Sequence, residues 1–158
     1  MKKTMSSSSK TLQRITWLFI LAVAGCGGTY DSTVTGVVTL DGEPLSRGRV
    51  TFYPTSPGPP CIGSINEQGR YEVSTGLEVG LPSGEYAITV VANEPPEKSQ
   101  GERGGPPPAG KLITPAWYKS KQFSGLKENI EPGANEVELA LTSEPPAGWV
   151  GPKKRGRR

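Results

Sequence analysis

Thr33-Val34-Thr35-Gly36-Val37-Val38-Thr39-Leu40-Asp41-Gly42 is the stretch on which the fold turns. Val34, Gly36, Val38 and Leu40 fall on one side of an extended chain, and Thr33, Thr35 and Thr39 on the other. A repeat of two with threonines outside marks a half-buried strand and not a helix. Asp41-Gly42 follows at once, the dipeptide that most readily makes a tight hairpin turn. The same alternation recurs downstream. Val50 and Phe52 share a side of Arg49–Tyr53, and Pro54, with no N–H for a ladder, stops that strand. Ile62–Ile65 reads as a short strand and Asn66–Gly69 as a turn into Arg70–Val73, with Tyr71 and Val73 inward. Leu81–Gly84 turns into Glu85–Ala92, where Tyr86, Ile88 and Val90 line one face. Gly125–Ile130 is a further candidate. After a turn at Glu131–Ala134, Asn135–Leu141 closes the set with Val137, Leu139 and Leu141 inward. About seven short strands with a turn signal every 8 to 12 residues or so predict an all-β, seven-stranded antiparallel sandwich. One wet face per strand fits antiparallel and not buried parallel sheet.

Two segments break the pattern. Residues 94–110 are rich in proline, glycine and charge, with no period, and read as an exposed, mobile loop. The bulky run Leu112–Tyr118 beyond it is expected to dock back on the body. From residue 143 to 158 the chain is a proline- and glycine-containing tail ending Lys153-Lys154-Arg155-Gly156-Arg157-Arg158.

Composition excludes several functions. The chain has no histidine, which removes the commonest general base, the commonest metal ligand and any Ser-His-Asp or Cys-His machinery. No cofactor and no metal is expected. The 21 glycines and 16 prolines of the 158 residues suit short strands between many turns and argue against a helical protein. The formal charge of +3 is concentrated at the two termini, and the body from Cys26 to Pro152 carries 9 basic against 15 acidic residues. Such an acidic body gives no support for nucleic-acid binding.

The first twenty-five residues explain the basic start. Lys2, Lys3, Lys10 and Arg14 precede the apolar run Ile15–Gly25, with no acidic residue among them. That run is far short of the roughly 20 residues of a membrane-spanning helix, and its layout is that of a secretory signal. Val23-Ala24-Gly25-Cys26 resembles the bacterial lipobox, which implies cleavage between Gly25 and Cys26 and acylation of the Cys26 thiol, the one side chain there that can form the thioether. Gly27 follows in place of the Asp associated with inner-membrane retention in some bacteria, which favours the outer membrane. The expected organisation is a lipoprotein signal peptide at 1–25, a tether at 26–32, the sandwich at 33–142 and the tail at 143–158. Removing the signal leaves 133 residues, one ordinary domain.

The turns and core residues also resemble a family. Val34-Thr-Gly-Val-Val-Thr-Leu-Asp-Gly-Glu-Pro-Leu45, Gly48-Arg-Val-Thr-Phe52, Asn66-Glu-Gln-Gly-Arg-Tyr71 and Leu81-Pro-Ser-Gly-Glu-Tyr86 are similar to the carboxypeptidase regulatory-like domain. Gly48-Arg49 stands where small residues usually precede the valine, and Asn66 where Asp is usual. Ile113–Tyr118, Ser124–Leu126 and Pro132–Asn135 resemble the ending of small bacterial lipoproteins of this type. The resemblance covers Val34 to Leu141 and implies a transthyretin-like (prealbumin-like) Greek-key sandwich. Its motifs are turn glycines and core side chains, so it implies a fold and not a reaction. Nothing here resembles the zinc peptidase part of carboxypeptidases, and the hydroxyisourate-cleaving relatives of transthyretin use histidines that this chain lacks.

The remaining candidates are few. Cys61 has no neighbouring His or Lys in sequence and, with Cys26 acylated, no disulfide partner, so it reads as an inert thiol. Asp41, Glu43, Glu67 and Glu72 lack the spacing of a calcium loop and read as solvated turn carboxylates. Tyr71 and Tyr86 read as core anchors, leaving Trp117 and Tyr118 as the aromatic pair expected at a ligand or partner surface. The five positive charges of the tail read either as a contact for anionic headgroups or polysaccharide or as a frayed, solvated end. The expectation is a non-enzymatic, lipid-anchored envelope protein with a structural, adhesive or partner-binding role. Its partners would be the membrane, through Cys26, and an envelope protein or glycan. The alternative is a carbohydrate- or small-ligand-binding accessory domain.

Overall fold

Strand β1 (Ser32–Leu40) is the spine to which both halves of the chain attach. The computed structural model describes residues 29–96 and 110–151. The signal segment, Cys26, residues 97–109 of the long loop and the basic residues Lys153–Arg158 lie outside the described residues. Along β1, Val34 and Val38 are fully buried while Thr33 and Thr35 face water, the alternation that the sequence predicts. Asp41 and Gly42 both take positive φ, 51° and 88°, between the paired residues Leu40 and Glu43, as a type I′ turn requires. The hairpin is shorter than expected. Its return strand β2 (Glu43–Pro44) is brief, with the Leu45 N–H making a last bond to the Val38 carbonyl (2.9 Å).

Strand β3 (Gly48–Pro54) therefore pairs elsewhere, between β4 (Cys61–Ile65) and β7 (Gly84–Val91). β5 (Arg70–Thr75) joins β4 to β1, β6 (Glu78–Val79) folds back on β5, and β8 (Lys127–Ile130) pairs with β7. The hydrogen-bonded path runs β10-β1-β5-β4-β3-β7-β8, an all-β curled sheet with no α-helix among the described residues. Its concave side holds Phe52, Leu81, Ile88, Val50, Val73 and Val90, all fully buried. Each such side chain contributes roughly 1.5–3 kcal/mol by leaving water. An isolated antiparallel bridge, Ser32 to Leu81, draws the two halves of the curl together.

The ladder is antiparallel except at β1. There β9 (Gly133–Glu136) and β10 (Leu139–Leu141) run parallel to it, where a single strand over Asn135–Leu141 was expected. The interruption has a physical cause. The Val137 N–H donates to the Thr35 carbonyl (2.8 Å), and the Val137 carbonyl takes the buried Tyr71 hydroxyl (2.8 Å). The crossing passes directly over Gly36, where any Cβ would collide with the Val137 carbonyl.

Registers place these strands end to end in two groups. Ser32, Pro54, Cys61, the turn after Thr75, Gly84, Ile130 and Gly133 share one end. Leu40, Gly48, Ile65, Val91 and Leu141 share the other.

Candidate functional site

The first end is closed by backbone and small polar groups. The Ser32 hydroxyl donates to the Leu81 carbonyl (2.6 Å) and the Leu81 N–H returns a bond to the Ser32 carbonyl (3.1 Å). Asp31 accepts the Ser83 N–H (2.8 Å) and the Ser83 hydroxyl (2.7 Å). Those two bonds, hydroxyl first, hold the Asp31 carboxyl below its ordinary value. Gly80, at φ 103°, allows the close approach, since a Cβ there would stand 2.6 Å from the Ser32 carbonyl oxygen. A small pocket of about 140 Å³ opens here between Tyr30, the Pro54–Pro59 loop, Pro82 and Tyr86. The Tyr86 hydroxyl donates to the Pro82 carbonyl (2.7 Å), and burial, with the nearby Cys61 thiol next, pushes it up to about 12. Cys61 itself is buried, its Sγ turned to the Pro59 carbonyl at 3.7 Å. Burial raises the Tyr71 hydroxyl in the same way.

The second end is closed by aromatic side chains. Trp117 and Tyr118, on a short 3-10 turn (Ala116–Lys119), are 9 % and 5 % exposed, so the expected open aromatic pair is instead part of the core. Thr114 fixes the segment, its hydroxyl accepting the Ala92 N–H (3.1 Å). Trp149 covers Trp117, ring centroids 5.8 Å apart, and Phe123 stands edge-on to Trp149 at 5.1 Å. The Thr142 N–H donates to the Tyr118 hydroxyl (2.9 Å), and the Ser143 N–H to Asp41 (2.9 Å), whose carboxyl is lowered by that bond. Residues 142–149 thus fold back over the aromatic pair and remove it from water. The residue pattern of the tail has no period that announces this return; its one signal is an isolated tryptophan, Trp149, among Pro and Gly. Phe123, 47 % exposed, stands open at this end, as do Ile113 and Val150, and the half-buried Trp149 lies beside Phe123.

The long loop leaves and returns at this second end. Glu94 donates its N–H to Lys111 (2.8 Å), Asn93 bridges to Leu112, and the Asn93 side chain donates to the Gly110 carbonyl (2.9 Å). Of the turn carboxylates, Asp41 is engaged with Ser143, and among the described residues no group of three or more acidic or cysteine side chains is gathered. An open polar groove of about 490 Å³ crosses the outer sheet face between Thr35, Ser64, Arg70, Glu72 and Glu136. Tyr53 lies under the Lys121 ammonium, 4.7 Å from its ring centre.

No family model matches the chain. No curated protein matches it either. A partial likeness is found to the crystal structure of a DUF3823 family protein from Parabacteroides merdae, with a TM-score of 0.39 and 17 % identity, over 70 % of this chain and 45 % of that one. The chain thus spans less than half the length of that protein.

Proposed function

We propose that the chain is a lipid-anchored protein of the bacterial cell envelope, acylated on Cys26 after cleavage behind Gly25. Its body would be a transthyretin-like sandwich of the carboxypeptidase regulatory-like type, holding an envelope protein or glycan near the membrane by binding and not by catalysis. The observation that carries this reading is the polarity of the body. Tyr30, close in sequence to Cys26, packs against Gly80 at the first end, while the long loop and the C-terminal segment both leave from the second. A module tethered at one end, with the long loop and the C-terminal segment leaving from the other, is suited to presenting them away from a surface. Two or more acyl chains, each CH₂ contributing about 0.8 kcal/mol, would make release slow. The test is incorporation of a palmitate analogue into wild type and Cys26→Ala. Label confined to wild type, with the variant released from the membrane fraction, supports the reading; equal label in both removes it.

A second reading, a carbohydrate- or small-ligand-binding domain, is favoured by the exposed edge of Phe123 beside Trp149, since stacked aromatics suit sugar faces. Loss of glycan retention on Phe123→Ala, with folding unchanged, would select it.

A further inference from the structure

Resting on the acylated-Cys26 reading, we infer that the tip of the β5–β6 hairpin is a second, non-covalent membrane contact that touches the lipid interface beside the anchor. The turn between Thr75 and Glu78 has two residues, Gly76 at φ 65° and Leu77. Glycine at the first central position is the type II′ choice, and it aims the next side chain outward. Leu77 is fully exposed, a large apolar side chain at the extremity of the first end. It does not stand alone. Ile62 and Val79 flank Ser74 in register on the outer face of the same sheet, 39 % and 49 % exposed. Leu77 at the tip, with Ile62 and Val79 on the sheet face behind it, leaves three exposed aliphatic side chains in this part of the sheet.

Chain length says what lies against that patch. Ser32 bridges to Leu81, and the chain before it bends at Asp31, so it enters β1 beside the base of the β5–β6 hairpin. Tyr30 also packs beside Gly80, its Cβ 3.3 Å from where a Cβ on Gly80 would stand. Tyr30 is four positions along from Cys26, so the acylated thiol lies within about 14 Å of Tyr30, beside the hairpin that carries Leu77. A bilayer holding that thiol is therefore within reach of Leu77 and out of reach of the turn Asn66–Gly69, at the opposite end of β5. Asp31, Glu78, Glu85 and Glu131 outweigh Lys121, which stands over Tyr53, at the first end, so the contact is apolar and does not need anionic lipid. A patch this small would not hold a free protein on a membrane. On a tethered one the step is intramolecular, and burying one leucine shifts the balance toward the docked form on the order of tenfold.

The experiment uses the full mature chain, extracted with its acyl groups and reconstituted in phosphatidylcholine vesicles, with Cys61→Ala to remove the other thiol. A spin label is placed at Leu77→Cys, at Val79→Cys as a second probe, and at Glu67→Cys in the distant turn. We expect the labels at 77 and 79 to be shielded from a soluble nickel chelate and open to lipid-dissolved oxygen, and the label at 67 to be the reverse. Equal chelate access at all three, with the acyl mass on Cys26 confirmed, overturns the hairpin contact and leaves the anchor standing. Absence of the acyl mass overturns both. Shielding in native membranes but not in pure lipid vesicles overturns the bilayer as occupant in favour of a protein.

Discussion

The two ends of the curled sheet are closed by different physics. At the first, Ser32, Asp31, Gly80 and Leu81 lock together through main-chain atoms and short polar side chains, and the links between strands are brief. At the second, Trp117 and Tyr118 follow the long loop and Trp149 lies in the C-terminal segment, and the three rings pack together. Backbone closure demands particular dihedrals and tolerates no added atoms. Aromatic closure demands volume, and it tolerates whatever path the chain takes to deliver it. That contrast explains why the long loop and the tail both belong to the second end.

Substitutions sharpen the contrast in a definite order. Trp117→Ala should cost about 3–5 kcal/mol, the range for emptying a large buried ring site, read as a lowered urea midpoint. Gly80→Ala should cost about 2–3 kcal/mol, since alanine resists φ 103° and its methyl would press on the Ser32 carbonyl. If the two ends were built alike, trimming a methyl-sized volume at the second end would hurt as much; Ala116→Gly there should cost under half as much. Trp149→Ala should cost about 1 kcal/mol, because it removes two edge contacts from a half-buried ring, and should make Trp117 fluorescence accessible to soluble quencher. A Trp149→Ala variant with Trp117 still shielded would break the aromatic account of that end.

Acid should loosen both ends together. Asp31 and Asp41 each have a folded value lowered from the usual 3.8 by hydrogen bonds, Asp31 to Ser83 and Asp41 to Ser143. A depressed carboxyl contributes stability that is present above its unfolded value and is lost as pH falls through the folded one. Thermal midpoints should therefore hold from pH 7 to 5 and fall below about 3.8, and the fall should be shallower in Asp31→Asn and Asp41→Asn.

Much of this was legible in the residues. Alternation named Val34, Val38, Tyr86, Ile88 and Val90 as core, and Asp41-Gly42 named its turn, because period and turn chemistry are local. What was not legible depends on distant partners. The break in the last strand answers to Tyr71, sixty-six residues away in sequence, and to the space above Gly36. The burial of Trp117 and Tyr118 answers to a tryptophan returning from the tail. Turn residues gave no warning that Leu77 would stand free at a hairpin tip, since an isolated leucine carries no period.

Attachment to the membrane through the Cys26 thiol is read directly by mass spectrometry of the N-terminal peptide from membrane-extracted protein. A first residue Cys26 bearing a thioether-linked diacylglyceryl group is the predicted result. A peptide that begins elsewhere, or a Cys26 with a free thiol, would contradict it.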